Sequence, residues 1–112
     1  MEEYEENFEV DGQTITEKKT QTKKPRLYWV ILLNDDYTPM DFVITVLQTI
    51  FHKNLEEATK LMWDVHVSGR GLCGVFPYSV AISKAHHVKE MAKKNKHPLE
   101  CILEPVDNGE VP

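Results

Sequence analysis

Large apolar residues are unevenly spread along this chain. The first 25 residues, opening "MEEYEENFEV", run from acidic to polar to basic and hold few of them. Such a stretch buries too little surface to offset its ordering entropy, so residues 1–25 read as a flexible extension. From Arg26 the pattern changes. "LYWVILL" is a short continuous apolar run rich in β-branched and aromatic residues, which predicts a largely buried strand. Thr38 and Pro39 then read as N-cap and first residue of a helix, with Asp41 placed to favour its N-terminus. Met40, Val43, Ile44, Leu47 and Phe51 recur at helical spacing.

"HKN" breaks that pattern. Asn54 with Glu57 is a capping signature for a second helix, whose apolar face is Ala58, Leu61, Met62 and Val65. Gly69 is placed to stop it. "LCGVF" predicts a second strand. A third helix starts at Pro77 or Tyr78, carried by Val80, Ala81, Lys84, Ala85, Val88 and Met91, and its basic end "KKNKHP" suits a helix C-terminus. "LECILE" predicts a third strand, with Leu99, Cys101 and Leu103 on one face. The order β-α-α-β-α-β predicts an α+β fold, helices packed on a small sheet. Three segments follow: an extension over 1–25, a core over 26–106 and a short tail over 107–112.

Composition narrows the function. A chain of 112 residues with 41% apolar content has room for one small core. A formal charge of -5 argues against nucleic acid, whose phosphates need a basic face. No run approaches the roughly 18 apolar residues of a membrane span, and the N-terminus has no apolar signal segment. Cys73 and Cys101 stand far apart without a C-x-x-C, so neither a zinc site nor a disulfide framework is expected. Reduced thiols and a cytoplasmic location follow.

The candidate chemistry lies in "NDDYTPM". Asn34, Asp35 and Asp36 stand side by side between a strand and a helix. A polar turn explains them as well as a site does. His66 lies late in the second helix, and Met40 and Val43 on one helix match Met62 and Val65 on the next in spacing. Core packing explains that match too. Amide, carboxylate and neutral imidazole are all acceptors, and acceptors beside an apolar hollow suit a cation with an apolar neighbour. A free peptide N-terminus is such an object: an ammonium one bond from a side chain. A metal would also suit the groups, but one His with adjacent Asp residues gives no established ligand spacing. Nucleophilic catalysis lacks a motif, since no G-x-S-x-G or phosphate loop occurs. An Asp/His hydrolase or metal enzyme is the competing reading at this point.

"LLNDDYTPMDFV", "LMWDVHVSGRGLCGVF" and "KHPLECILE" together resemble the ClpS family, bacterial N-end rule adaptors of the Clp proteases, over residues 26–104. The resemblance implies a non-enzymatic adaptor without cofactor or metal. It would hold proteins with a destabilising N-terminal Leu, Phe, Tyr or Trp and pass them to a ClpA-type AAA+ unfoldase. It implies that Asn34, Asp36 and His66 meet the α-amino group, that Asp35 and Thr38 hold the first peptide unit, and that Met40, Val43, Met62, Val65 and Leu99 line the side-chain pocket. It also implies an antiparallel three-stranded sheet, an extension that the unfoldase engages, and a monomer with no nucleic-acid or membrane partner. The implied unfoldase-docking surface includes the start of the third helix, here with Ser79 and Lys84. Ser79 and Ile82 stand where family members often carry acids. The homologous domain of an N-end rule ubiquitin ligase fits less well, because the chain has no RING-like Cys/His clusters.

Overall fold

The computed structural model describes residues 3–20 and 25–106. After an N-terminal hairpin (β1, Glu3–Val10; β2, Gln13–Thr20) the elements run β3 (Leu27–Leu33), α1 (Met40–Thr49), α2 (Leu55–Ser68), β4 (Arg70–Pro77), α3 (Tyr78–Lys94) and β5 (Glu100–Pro105). From Leu27 onward this is the β-α-α-β-α-β order that the apolar pattern predicts. The strand order β4-β3-β5 places β3 in the centre, antiparallel to both neighbours.

The continuous apolar run of β3 is explained by this central place. Val30 and Leu32 enter the core with side chains of all three helices. Ile31 points to the other face by the two-residue period of a strand, yet it too is fully buried. On β4 and β5, Arg70 donates a hydrogen bond to Glu104, an ion pair joining the two edge strands across β3. A strand buried on both faces has no polar alternation to show, which is why "LYWVILL" reads as a block.

The helix boundaries follow from local chemistry. Asn54 accepts from the Glu57 N–H at 2.8 Å, and the Glu57 carboxylate accepts from the Asn54 N–H at 3.1 Å, a complete capping box for α2. Gly69 ends α2 in the left-handed region at φ 88°, as its position predicts. Helix α1 ends at Thr49, and His52 takes the left-handed conformation at φ 55° that glycine usually supplies. The Lys53 N–H then returns to the Leu47 carbonyl at 3.1 Å, closing the helix end. The N-terminus of α1 differs from expectation. Pro39, not Thr38, is the cap residue, and no side chain caps the helix. The Thr38 hydroxyl is donated to Asp35 instead, at 2.7 Å.

The apolar pattern predicts no secondary structure in the first 20 residues, whereas residues 3–20 pair as an antiparallel hairpin. The local signal is Asp11-Gly12, between the paired Val10 and Gln13. Both central residues have positive φ, 52° and 78°, the requirement of the two-residue turn that matches strand twist. The Asp11 carboxylate lies 3.2 Å from His86 Nε2 and 3.1 Å from His87 Nε2 on α3. The expected tail over 107–112 lies outside the described residues.

Candidate functional site

The loop from Asn34 to Pro39 is held in shape by one carboxylate. Asp35 Oδ1 accepts from the backbone N–H groups of Tyr37 and Thr38 at 2.8 and 2.7 Å, and Oδ2 accepts from the Thr38 hydroxyl. Burial alone pushes the Asp35 carboxyl up. The hydrogen bonds from Thr38 and Tyr37, with a smaller contribution from His97, outweigh it and leave the pKa below the usual carboxylate value. Asp35 therefore stays ionised and fixes the turn, while its neighbours Asn34 and Asp36 stay exposed.

One main-chain contact brings this loop to the second helix. The Asn34 N–H donates to the Gly69 carbonyl at 2.9 Å, and Gly69 is the residue that stops α2 three positions after His66. Glycine tolerates the positive φ that the stop requires, so the chain can turn there and present its carbonyl to the loop. Asn34 and His66, far apart in sequence, thus belong to one rim. Among the described residues, the side chains of Asn34, Asp36 and His66 make no hydrogen bond to other residues, so their acceptor atoms remain open to a ligand.

Below that rim is a cavity of about 330 Å³, lined by Asn34, Asp35, Asp36, Thr38, Pro39, Met40, Val43, Met62, Val65 and His66. This volume lies at the lower end of the range for small-ligand sites. Its deep residues are apolar and buried: Val43 is 6%, Met62 5% and Val65 3% exposed. Met40, the first residue of α1, is 38% exposed and forms part of the mouth. Acceptors at the mouth and an unbranched thioether in the wall suit a cation attached to an apolar group. Three larger clefts lie elsewhere: two beside α3, whose walls mix Lys89, Lys93 and Lys94 with Asp11, Glu90 and Glu100, and one beside β4, walled by Asp64, Arg70 and Glu104.

Nine of the ten expected binding residues line this one cavity. The tenth, Leu99, is buried beneath the α3–β5 groove and does not line the cavity wall. Ser79 and Lys84, expected on a docking surface, both turn inward. Ser79 is buried, and Lys84 Nζ donates to the Ile50 carbonyl at 2.8 Å beside the Phe76 ring. Partial burial lowers the Lys84 pKa. The side chains open to solvent at the start of α3 are Tyr78 and Ile82. Two residues at the site escape a reading of the sequence. Pro39 lines the cavity, and Trp63 meets the His66 ring. The three-residue spacing of Trp63 and His66 on a helix is the signal that points to the latter.

Neither cysteine lines the cavity. Burial pushes the Cys73 thiol up to about 12 and the Cys101 thiol up to about 11, so neither is a thiolate at neutral pH. Among the described residues, no group of three or more His, Cys, Asp or Glu could hold a metal ion. No helix among them is long and apolar enough to cross a membrane.

Strand β4 supports the cavity floor at Gly71. A Cβ added there would stand 2.5 Å from Val65 Cγ2. Valine is stiff at χ1 and cannot swing aside cheaply. Gly71→Ala is therefore expected to displace Val65, costing about 1–3 kcal/mol as overpacking and lowering Tm by several degrees. Ligand affinity should fall with it. Melting and binding both like the wild type would show that α2 shifts freely against β4.

Fold and cavity together define a small α+β binding domain with an acceptor-lined mouth. The family model described as ATP-dependent Clp protease adaptor protein ClpS matches residues 23–102. The adapter protein ClpS of Brucella canis is 53% identical over 90 residues, covering 80% of this chain and 78% of the relative. That of Nitrosospira multiformis is 51% identical over 94 residues, covering 83% and 92%. The solved structure of Agrobacterium tumefaciens ClpS2 bound to L-phenylalaninamide superposes with a TM-score of 0.72 at 35% identity, covering 74% of this chain and all of that one. The chain belongs to the ClpS family of Clp protease adaptors. Members of this family are adaptors of the protease rather than the protease itself.

Proposed function

We propose that this adaptor captures proteins by a free N-terminal Leu, Phe, Tyr or Trp and delivers them to a ClpA-type AAA+ unfoldase, with no catalysis of its own. One observation carries the reading: open acceptors on Asn34, Asp36 and His66 surround the mouth of a cavity floored by Val43, Met62 and Val65. An α-amino group is largely protonated near neutral pH and donates three hydrogen bonds, one for each of the three acceptor-bearing side chains named. The side chain one bond away then enters the apolar floor. L-phenylalaninamide, bound by the Agrobacterium relative, has the same parts: an amine, an aromatic side chain and an amide in place of the first peptide unit. Asp35 and Thr38, both in the cavity lining, are the proposed partners of that first peptide unit, and Leu99, in the same core cluster as Val43, Met62 and Val65, is the proposed support of the side-chain pocket. The start of α3 is the proposed docking region for the unfoldase, with Ser79 and Lys84 shaping it from below and Tyr78 and Ile82 presented outward. The adaptor acts as a cytoplasmic monomer, its two cysteines free.

Selectivity at the first residue tests this. Met40 at the mouth crowds the space beside the substrate β-carbon. Ile and Val branch there and are stiff, whereas Leu and the aromatics branch farther out. Leu-first peptides are expected to bind roughly five- to 150-fold more tightly than Ile-first peptides of otherwise identical sequence, since an unrelieved clash costs on the order of 1–3 kcal/mol. Met40→Ala should close most of that gap. Equal binding of Leu-first and Ile-first peptides by the unaltered chain would remove Met40 as the gate.

A further inference from the structure

We infer that Trp63 is a positioning residue for His66, holding the imidazole so that a ring nitrogen faces the substrate ammonium. The inference rests on the cavity being a pocket for a free N-terminus. Trp63 and His66 lie three residues apart on α2, and their rings meet edge to face with centroids 5.7 Å apart and planes at 74°. His66 is exposed, and neither ring nitrogen is hydrogen-bonded among the described residues. The other rim acceptors sit in a loop that Asp35 ties and that the Asn34–Gly69 bond anchors. The helix fixes the His66 backbone, but its two side-chain torsions have no polar partner to hold them. The Trp63 ring is the aromatic contact the structure gives them.

Trp63 itself is 49% exposed and stands outside the core cluster. A large aromatic ring left half in water, touching a binding-site imidazole, is accounted for by what it does to that imidazole. Edge-to-face pairs favour one ring orientation, and a ring oriented beforehand loses less freedom when the ligand arrives. Because Trp63 adds little to the core, it can be replaced without unfolding the domain.

The test is a double-mutant cycle on the full chain, titrated with a Leu-first peptide carrying a fluorophore at its C-terminal end. Trp63→Leu is expected to weaken binding about two- to tenfold, the range for such ring pairs. Trp63→Phe, which keeps an aromatic face, should recover most of the loss. In a His66→Ala background, Trp63→Leu should change affinity less than about twofold, because the ring it positions is gone. Wild-type affinity in Trp63→Leu overturns the inference. So does an equal loss with and without His66, which assigns Trp63 a direct substrate contact or a structural role. Failure of the unaltered chain to prefer the free amine over its acetylated form would instead overturn the pocket reading, and this inference with it.

Discussion

Acetylating the N-terminus of a Phe-first peptide is expected to weaken its binding to this chain by well over tenfold. The acetyl group removes the positive charge and two of the three donors, and adds bulk at the mouth of the cavity. Asn34, Asp36 and His66 would then face an amide in place of an ammonium. Hydrogen bonds to charged groups are worth about 1.5–3 kcal/mol each, and about 1.4 kcal/mol is a factor of ten in affinity. Losing two of them exceeds that factor even if the aromatic ring still enters the floor. Competition between the two peptides, measured by fluorescence anisotropy, reads the ratio directly. Near-equal affinities would mean that the cavity recognises the side chain alone, and the rim acceptors would need another explanation.

Removing residues 2–20 is expected to separate binding from delivery. The cavity residues all lie after Arg26, so peptide affinity should stay within about twofold of the full chain. The described polar links from the hairpin to α3 are those of Asp11 with His86 and His87, both solvent-exposed. Exposed pairs of this kind contribute about 0–1 kcal/mol, so the melting temperature should move little. Delivery places a different demand on the chain. A tethered segment can reach the unfoldase while the folded body stays docked, with a reach of about 5–6 Å times the square root of its length when unstructured. Truncation is therefore expected to abolish stimulated degradation of a Phe-first reporter by the cognate unfoldase and peptidase. A scrambled segment of equal length, which discards the Asp11-Gly12 turn, should restore much of the activity. Full activity from the truncated chain would reduce the segment to a solubilising appendage. Failure of the scrambled form would shift the role from reach to the hairpin itself.

Elements set by local chemistry are legible in the order of residues. The Asn54–Glu57 box and the Gly69 stop involve groups within one helical turn, so spacing along the chain specifies them. The central strand is legible because burial on both faces leaves an unbroken apolar run. Local reading fails where a side chain has two partners within reach. Thr38 could cap α1 or bond to Asp35, and it bonds to Asp35, whose carboxylate also gathers two backbone N–H groups. Asp11-Gly12 is a readable turn signal, but the polar residues around it do not announce apolar strands.

Residue order alone specifies the elements from Leu27 onward, their succession along the chain, and the grouping of acceptor side chains at Asn34–Asp36. Asn34, Asp36, Met40, Val43, Met62, Val65 and His66 were all nameable, with help from a family resemblance. That they share one cavity is a property of the assembled fold, because it depends on the Asn34–Gly69 bond and on β4 approaching Val65 at a glycine. Packing likewise sets Leu99 at the α3–β5 groove and turns Lys84 in against the Ile50 carbonyl. Periodicity gives the direction of a side chain relative to its own helix or strand. Which neighbouring element it meets is fixed by long-range packing, where many weak contacts are satisfied together and no single residue carries the signal.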